Sequence, residues 1–183
     1  GIPTMLINSD RAGQKRGYIN NESYTGAREM MQYLLQTGHR KIGFLCNSLV
    51  NNTNHQQRLQ AYLDAMAAAE VEVLEGWVIP HSPTILTEEA GYNQCNLLLQ
   101  HPVRPTAIFC TNDEMASGAI KCCWDHDLNV PEDISVAGFD NIRFSAFLHP
   151  ALTTVRQPLY EIGRRAIQAL DEFLKGQLAA LPA

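Results

Sequence analysis

The 183-residue sequence has no long apolar run, no Lys/Arg run and no Cys-x-x-Cys spacing. Without an apolar stretch of ~18 residues there is no candidate membrane-spanning helix. The opening Gly1-Ile-Pro-Thr-Met-Leu-Ile-Asn8 also lacks the basic segment that begins a secretory signal. The net charge is −5 and no Lys/Arg run offsets it, so this stretch by itself is a poor match for nucleic acid. Five cysteines are present, at 46, 95, 110, 122 and 123, an odd number with no Cys-x-x-Cys. That excludes a fully paired disulfide framework and a paired-thiolate zinc site, and predicts buried free thiols in a reducing cytoplasm. Catalytic signatures are missing too: no G-x-S-x-G, H-E-x-x-H, G-x-x-x-x-G-K-[ST] or G-x-G-x-x-G. The histidines at 39, 55, 81, 101, 126 and 149 are scattered, and each reads as a surface or capping residue. The expectation is a protein that is not an enzyme, with no catalytic residues, no metal and no cofactor.

What is present is organised around Ala107-Ile-Phe-Cys-Thr-Asn-Asp-Glu-Met-Ala116. Four apolar residues run into a polar turn, after which the apolar spacing becomes helical at Ala116, Ala119, Ile120 and Cys123. This reads as a buried strand, a turn capped by Asn112 or Asp113, and an amphipathic helix. The same unit recurs along the chain. Strands are expected at Pro3–Asn8, Lys41–Cys46, Trp77–Pro80, Ile134–Phe139 and Leu152–Arg156. Helices are expected over Glu22–Thr37, from near His55 with Leu59, Tyr62, Leu63, Met66 and Ala67 inward, from a Thr87 cap to about His101 with Ala90, Leu97 and Leu98 inward, and from Pro158 at the first helical position to about Lys175. In that last helix Leu159, Ile162, Ala166, Leu170 and Phe173 are expected to be buried. Alternating strands and helices predict an α/β fold, a doubly wound, mostly parallel sheet with helices on both faces.

In such sheets ligands bind at the carboxyl ends of the strands. Those ends carry Asn47 and Ser48, Asn112 and Asp113, Asp140 and Asn141, and Gln157, with Asn52, Asn54 and Arg58 in the long loop after the second strand. Amides donate and accept, a carboxylate accepts from paired hydroxyls, and a guanidinium donates in a rigid fork. A small, neutral, hydroxyl-rich ligand such as a sugar suits that set. Arg58, read as lying in the first turn of its helix, opposes the helix dipole and is expected to lean toward Asp140.

Five ordered stretches carry a family resemblance: Thr37–Gly43, Arg58–Tyr62, Pro105–Ala116, Val130–Asn141 and Pro150–Gln157. They look like the effector-binding region of the lactose/galactose repressor family of transcriptional regulators, and the likeness covers essentially the whole chain. It implies a periplasmic-binding-protein-like fold with two α/β subdomains and an effector in the cleft between them. Residues 21–156 would be one complete C-terminal subdomain, 1–20 a remnant of the N-terminal subdomain, and 157–183 the crossover and a further remnant. The resemblance implies effector-binding roles for Arg58, Asn112, Asp140, Gln157, Asn52 and Asn54. Leu86 falls where family members often place a stacking aromatic, and Asn21 near a position often held by Asp. It also implies a homodimer through Ser117, Ile120, Trp124, Phe144, Phe147 and Leu148, and contact with operator DNA only through an N-terminal headpiece not seen in this sequence. The functional expectation is the effector-sensing core of a bacterial regulator; a solute-binding protein of a sugar transporter is the alternative on the same fold.

Overall fold

The computed structural model describes residues 3–7, 17–19, 22–50, 52–80, 87–178 and 180–182. Leu86 and Asn21 lie outside the described residues. The elements in chain order are β1 (Met5–Ile7), β2 (Gly17–Ile19), α1 (Ser23–Gln36), β3 (Ile42–Cys46), α2 (Thr53–Ala68), β4 (Val78–Pro80), α3 (Thr87–Leu99), β5 (Ala107–Cys110), α4 (Asp113–Asp125), β6 (Ser135–Asp140), a 3-10 turn (Arg143–Phe147), β7 (Thr153–Arg156) and α5 (Leu159–Leu174).

Five strands form one parallel sheet in the order β4-β3-β5-β6-β7. β3 and β5 are buried throughout, as expected of strands covered on both faces. One face carries Ala27, Met31 and Leu34 of α1 with Ala61, Tyr62 and Met66 of α2, packed on Phe44, Phe109 and Phe139. The other carries Ala90, Cys95 and Leu98 of α3 with Met115, Ala119 and Ile120 of α4, packed on Leu45, Ile108 and Val136. This is the α/β architecture with helices on both faces. β1 and β2 pair in parallel as a separate two-stranded sheet against which α5 packs.

α3 and α4 approach closely at two glycines. A methyl on Gly91 would lie 2.1 Å from the Met115 carbonyl oxygen, and one on Gly118 1.9 Å from that of Glu88.

Several inward assignments turn outward. Leu63 is 37% exposed, Leu97 58% and Leu159 56%. Ala67 is exposed as well, because α2 turns Ala61 and Ala65 to the core instead. Pro158 precedes α5 rather than starting it: Leu159 N–H donates to Gln157 O at 2.9 Å, so the chain is still turning there. Thr87 is the first residue of α3.

Candidate effector site at the strand ends

The strand order reverses between β3 and β5: the chain leaves β3 for β4 on one side and later enters β5 on the other. A crevice opens at the carboxyl ends of two strands whose connections diverge, and ligands of open α/β sheets bind there. Arg58 sits over this point. α2 starts at Thr53, with Asn52 as its cap accepting from His55 N–H at 3.1 Å. Arg58 is therefore in the second turn, beyond the strongest reach of the dipole. Other interactions hold it.

Its side chain is buried, 3% exposed, with three neighbours. One guanidinium nitrogen donates to the Thr111 carbonyl at the end of β5. The other lies 3.5 Å from Asp140 Oδ1 at the end of β6. The guanidinium carbon lies 3.6 Å from the centre of the Phe139 ring. Nε is buried and unpartnered among the described residues. A buried donor left without an acceptor costs on the order of 1–3 kcal/mol.

Asp140 is placed by a strained turn. Its φ is 115° and that of Asn141 is 53°, both in the left-handed half of backbone space that side chains disfavour. The turn is tied down from two sides: Ile142 N–H donates to Asp113 Oδ2 at 2.8 Å, and Asn141 N–H to Thr154 Oγ1 at 3.2 Å. Asp113 is thus a buried latch, while Asn112 is the α4 cap, its Oδ1 accepting from Met115 N–H at 2.8 Å. Gln157 donates its amide to Asp140 Oδ1, linking β6 to the start of the last crossover.

Electrostatically the pair is incompletely compensated. Burial pulls the Arg58 guanidinium down to about 10, against the raising charges of Asp140 and Asp113. Burial pushes Asp140 up to about 6, although Arg58 and Gln157 oppose it. Desolvation outweighs attraction in both, consistent with a 3.5 Å separation at the outer edge of a direct contact.

The structure brings Arg58, Asp140 and Gln157 together, with Thr111 and Asn112 beside them. Asn54, four residues before Arg58, shares its helical face and accepts from Ser23 Oγ at 3.3 Å. Asn52 is occupied as a cap. Leu86 has no described position. Asp113 belonged to the polar set expected at the strand ends, but Phe139 and Gln94 were not singled out from the sequence as site residues. The buried Gln94 amide brackets the end of β3, accepting from Cys46 N–H at 3.2 Å and donating to Cys46 O at 3.0 Å. His55 is half-buried, desolvation lowers its pKa from the ordinary value, and its Nδ1 meets the Ser48 carbonyl at 3.1 Å. A carbonyl only accepts, so Nδ1 carries the proton and the ring helps to anchor the β3–α2 loop.

Of the residues named for self-association, Phe144 is 59% exposed, Phe147 72% and Trp124 44%. Ile120 is 1% exposed and belongs to the core under α4, so it is not available to a partner. Leu148 is half-buried against that core, and Ser117 turns its hydroxyl to the Glu114 carbonyl at 2.7 Å.

Among the described residues, no helix is long and apolar enough to cross a membrane, and no group of His, Cys, Asp and Glu side chains is arranged to hold a metal.

The sequence profile of the periplasmic binding protein-like domain matches residues 31–182. The chain is 38% identical over 154 residues to the HTH-type transcriptional repressor PurR of Haemophilus influenzae, covering 84% of this chain and 45% of that protein. It is 31% identical over 173 residues to catabolite control protein A of Priestia megaterium, covering 94% and 51% respectively. The crystal structure of a LacI family transcriptional regulator from Mycobacterium smegmatis superposes with a TM-score of 0.87 at 30% identity, over 100% of this chain and 65% of that one. The chain spans about half the length of these curated relatives.

Proposed function

Because the chain belongs to the periplasmic binding protein-like domain family, we propose that it is the effector-sensing part of a bacterial DNA-binding transcriptional regulator of the lactose/galactose repressor type. The observation that carries this reading is the buried, loosely compensated Arg58–Asp140 pair at the point where the strand order reverses. A guanidinium, a carboxylate and the Gln157 and Asn112 amides offer donors and acceptors in one place, the set that a small hydroxyl-rich or polar-edged metabolite requires. A sugar is the effector class proposed. Repressors among the relatives support a regulator over the solute-binding alternative and over an enzyme. Residues 21–156 are read as one effector-binding subdomain. The residues before and after it are read as parts of a second, which the separate β1–β2 sheet with α5 packed on it supports. Operator contact would come from a DNA-binding headpiece outside this chain, acting in a cytoplasmic homodimer.

The test is a thermal-shift screen of the full-length protein against sugars, nucleosides and purine bases, followed by operator binding with each compound that stabilises it. A polar metabolite that both raises the melting temperature and changes operator affinity supports the reading. Stabilisation without any effect on DNA supports a solute-binding role instead.

A further inference from the structure

Asp140 ends β6 on a backbone that side chains disfavour, with φ 115° there and 53° at Asn141. Such strain persists only where the surroundings over-determine it. The two N–H groups that follow Asp140 both lead to one carboxylate. Ile142 N–H donates directly to Asp113 Oδ2 at 2.8 Å. Asn141 N–H donates to Thr154 Oγ1 at 3.2 Å, and the Thr154 hydroxyl donates in turn to Asp113 Oδ1. Thr154 stands beside Gly138 in the β6–β7 pairing. A methyl on Gly138 would lie 2.4 Å from Asp113 Oδ1 and 2.9 Å from a Leu152 methyl carbon. A residue without a side chain is what leaves room for the carboxylate at this point of β6.

Asp113 is not spent on its own helix, because Asn112 caps α4. It is 1% exposed with both oxygens engaged under the turn, so a ligand in the crevice does not touch it. The arrangement needs a carboxylate. Its two donors, a backbone N–H and a hydroxyl already accepting from Asn141, require an acceptor at each oxygen position. Asparagine has one carbonyl oxygen and an NH2 that only donates, so it would set one donor against another.

We propose that Asp113, with Thr154 as its relay, is a positioning residue of the effector site: it fixes the Asp140–Asn141 turn so that the Asp140 carboxylate faces Arg58. This inference rests on the reading of Asp140 as an effector contact. Released from Asp113, the turn relaxes toward ordinary backbone angles and carries the carboxylate away from the Arg58 guanidinium and the Gln157 amide. An effector that uses these groups together must then restore their arrangement at the expense of its own binding energy. Its affinity falls although no contact to it has been removed.

The position of Asp140 can be read without an effector. Full-length protein carrying carbon-13-labelled aspartate is titrated by NMR, and the Asp140 carboxyl signal is assigned by its loss in Asp140→Asn. In the wild type burial holds Asp140 at about 6. Thr154→Val removes the relay but leaves Arg58, Asp113 and Glu114, the charges that act on Asp140, unchanged. The freed carboxylate gains water, so its midpoint is expected to fall toward the ordinary 3.8. Thr154→Ser keeps the hydroxyl and with it the wild-type midpoint. Gly138→Ala, which crowds the Asp113 carboxylate instead of removing its donor, gives the same fall as Thr154→Val. An unmoved Asp140 midpoint in Thr154→Val overturns the proposal, as does an equal fall in Thr154→Ser. The Thr154 pair decides the matter even if Gly138→Ala does not fold. The sugars, nucleosides and purine bases of the thermal-shift screen supply the second readout. A compound that stabilises the wild type should bind Thr154→Val about tenfold more weakly and Thr154→Ser as tightly as the wild type. Full affinity in Thr154→Val beside weakened binding in Arg58→Ala rejects the positioning role alone. Full affinity in Arg58→Ala rejects the effector reading, and the titration still decides what holds Asp140.

Discussion

The central carbon of the Arg58 guanidinium lies over the Phe139 ring, 3.6 Å from its centre, and the next residue along β6, Asp140, is its counter-ion. Adjacent positions of one strand thus give the cation an apolar floor and a charge partner. The floor matters because a guanidinium is weakly hydrated and stacks well on aromatic faces. Phe139→Leu keeps an apolar side chain but removes the ring. It should weaken effector binding by roughly 0.5–2 kcal/mol, the range of a desolvated cation–aromatic contact. Calorimetric titration of wild type and variant measures this, and an unchanged affinity would mean that the ring is only core.

Gly118 allows α4 to touch α3. Gly118→Ala places a methyl 1.9 Å from a backbone oxygen of Glu88, so the helices must separate. Overpacking of this kind costs about 1–3 kcal/mol or more. Gly163 in α5 is the control, since nothing lies within 4 Å of the added methyl. Gly163→Ala should be stabilising by up to about 1 kcal/mol, because alanine loses less backbone freedom in a helix. Urea midpoints of the two variants should move in opposite directions.

Asp140 gives a pH dependence opposite to that of an ordinary ion-paired acid. Burial raises it to about 6 in the folded protein, from an ordinary 3.8. Between those values the native state holds a proton that the unfolded chain has released. The group therefore contributes stability that declines as pH rises through this window, and it is least favourable above it. The stability of wild type relative to Asp140→Asn should fall by about 1–3 kcal/mol between pH 4 and pH 7. Urea unfolding at stepped pH reads this directly; a difference that grows with pH would place the folded pKa of Asp140 below its ordinary value. Effector affinity should change in the other direction, weakening as acid neutralises the carboxylate proposed to accept ligand hydroxyls.

Phe144, Phe147 and Trp124 expose large apolar surfaces at 59%, 72% and 44%. Exposed apolar clusters of this kind mark interfaces. The protein should self-associate, and Phe147→Glu should shift it toward monomer. Sedimentation showing only monomer for the wild type at high concentration would contradict this.

The sheet was legible in the sequence because β3, β5 and β6 are apolar runs that end abruptly in polar residues, a pattern created by burial on both faces. The polar residues that follow β3, β6 and β7 pointed to Arg58, Asp140 and Gln157. Less legible was anything set by residues distant in sequence. Asn112 and Asp113 stood equal as caps until the fold brought Ile142 and Thr154, 29 and 41 residues away from Asp113, onto its carboxylate. Ile120 follows the helical pattern of a core residue, and the core claims it. Leu63, Leu97 and Leu159 sit at the margins of their helices' apolar faces, where spacing alone does not decide which side of the boundary a residue falls on. The tight crossing at Gly91 and Gly118 leaves no trace in hydrophobic periodicity, since glycine in a helix reads only as a weak former.

The central claim is that the Arg58–Asp140 pair is the effector contact. The most direct measurement is calorimetric titration of the full-length protein and its Arg58→Ala variant with the metabolite that most raises the melting temperature. Loss of hydrogen bonds from a charged donor predicts an affinity weaker by about 2–4 kcal/mol, with operator binding in the absence of effector largely retained. Equal affinity in the two proteins would remove Arg58 from the site and contradict the account.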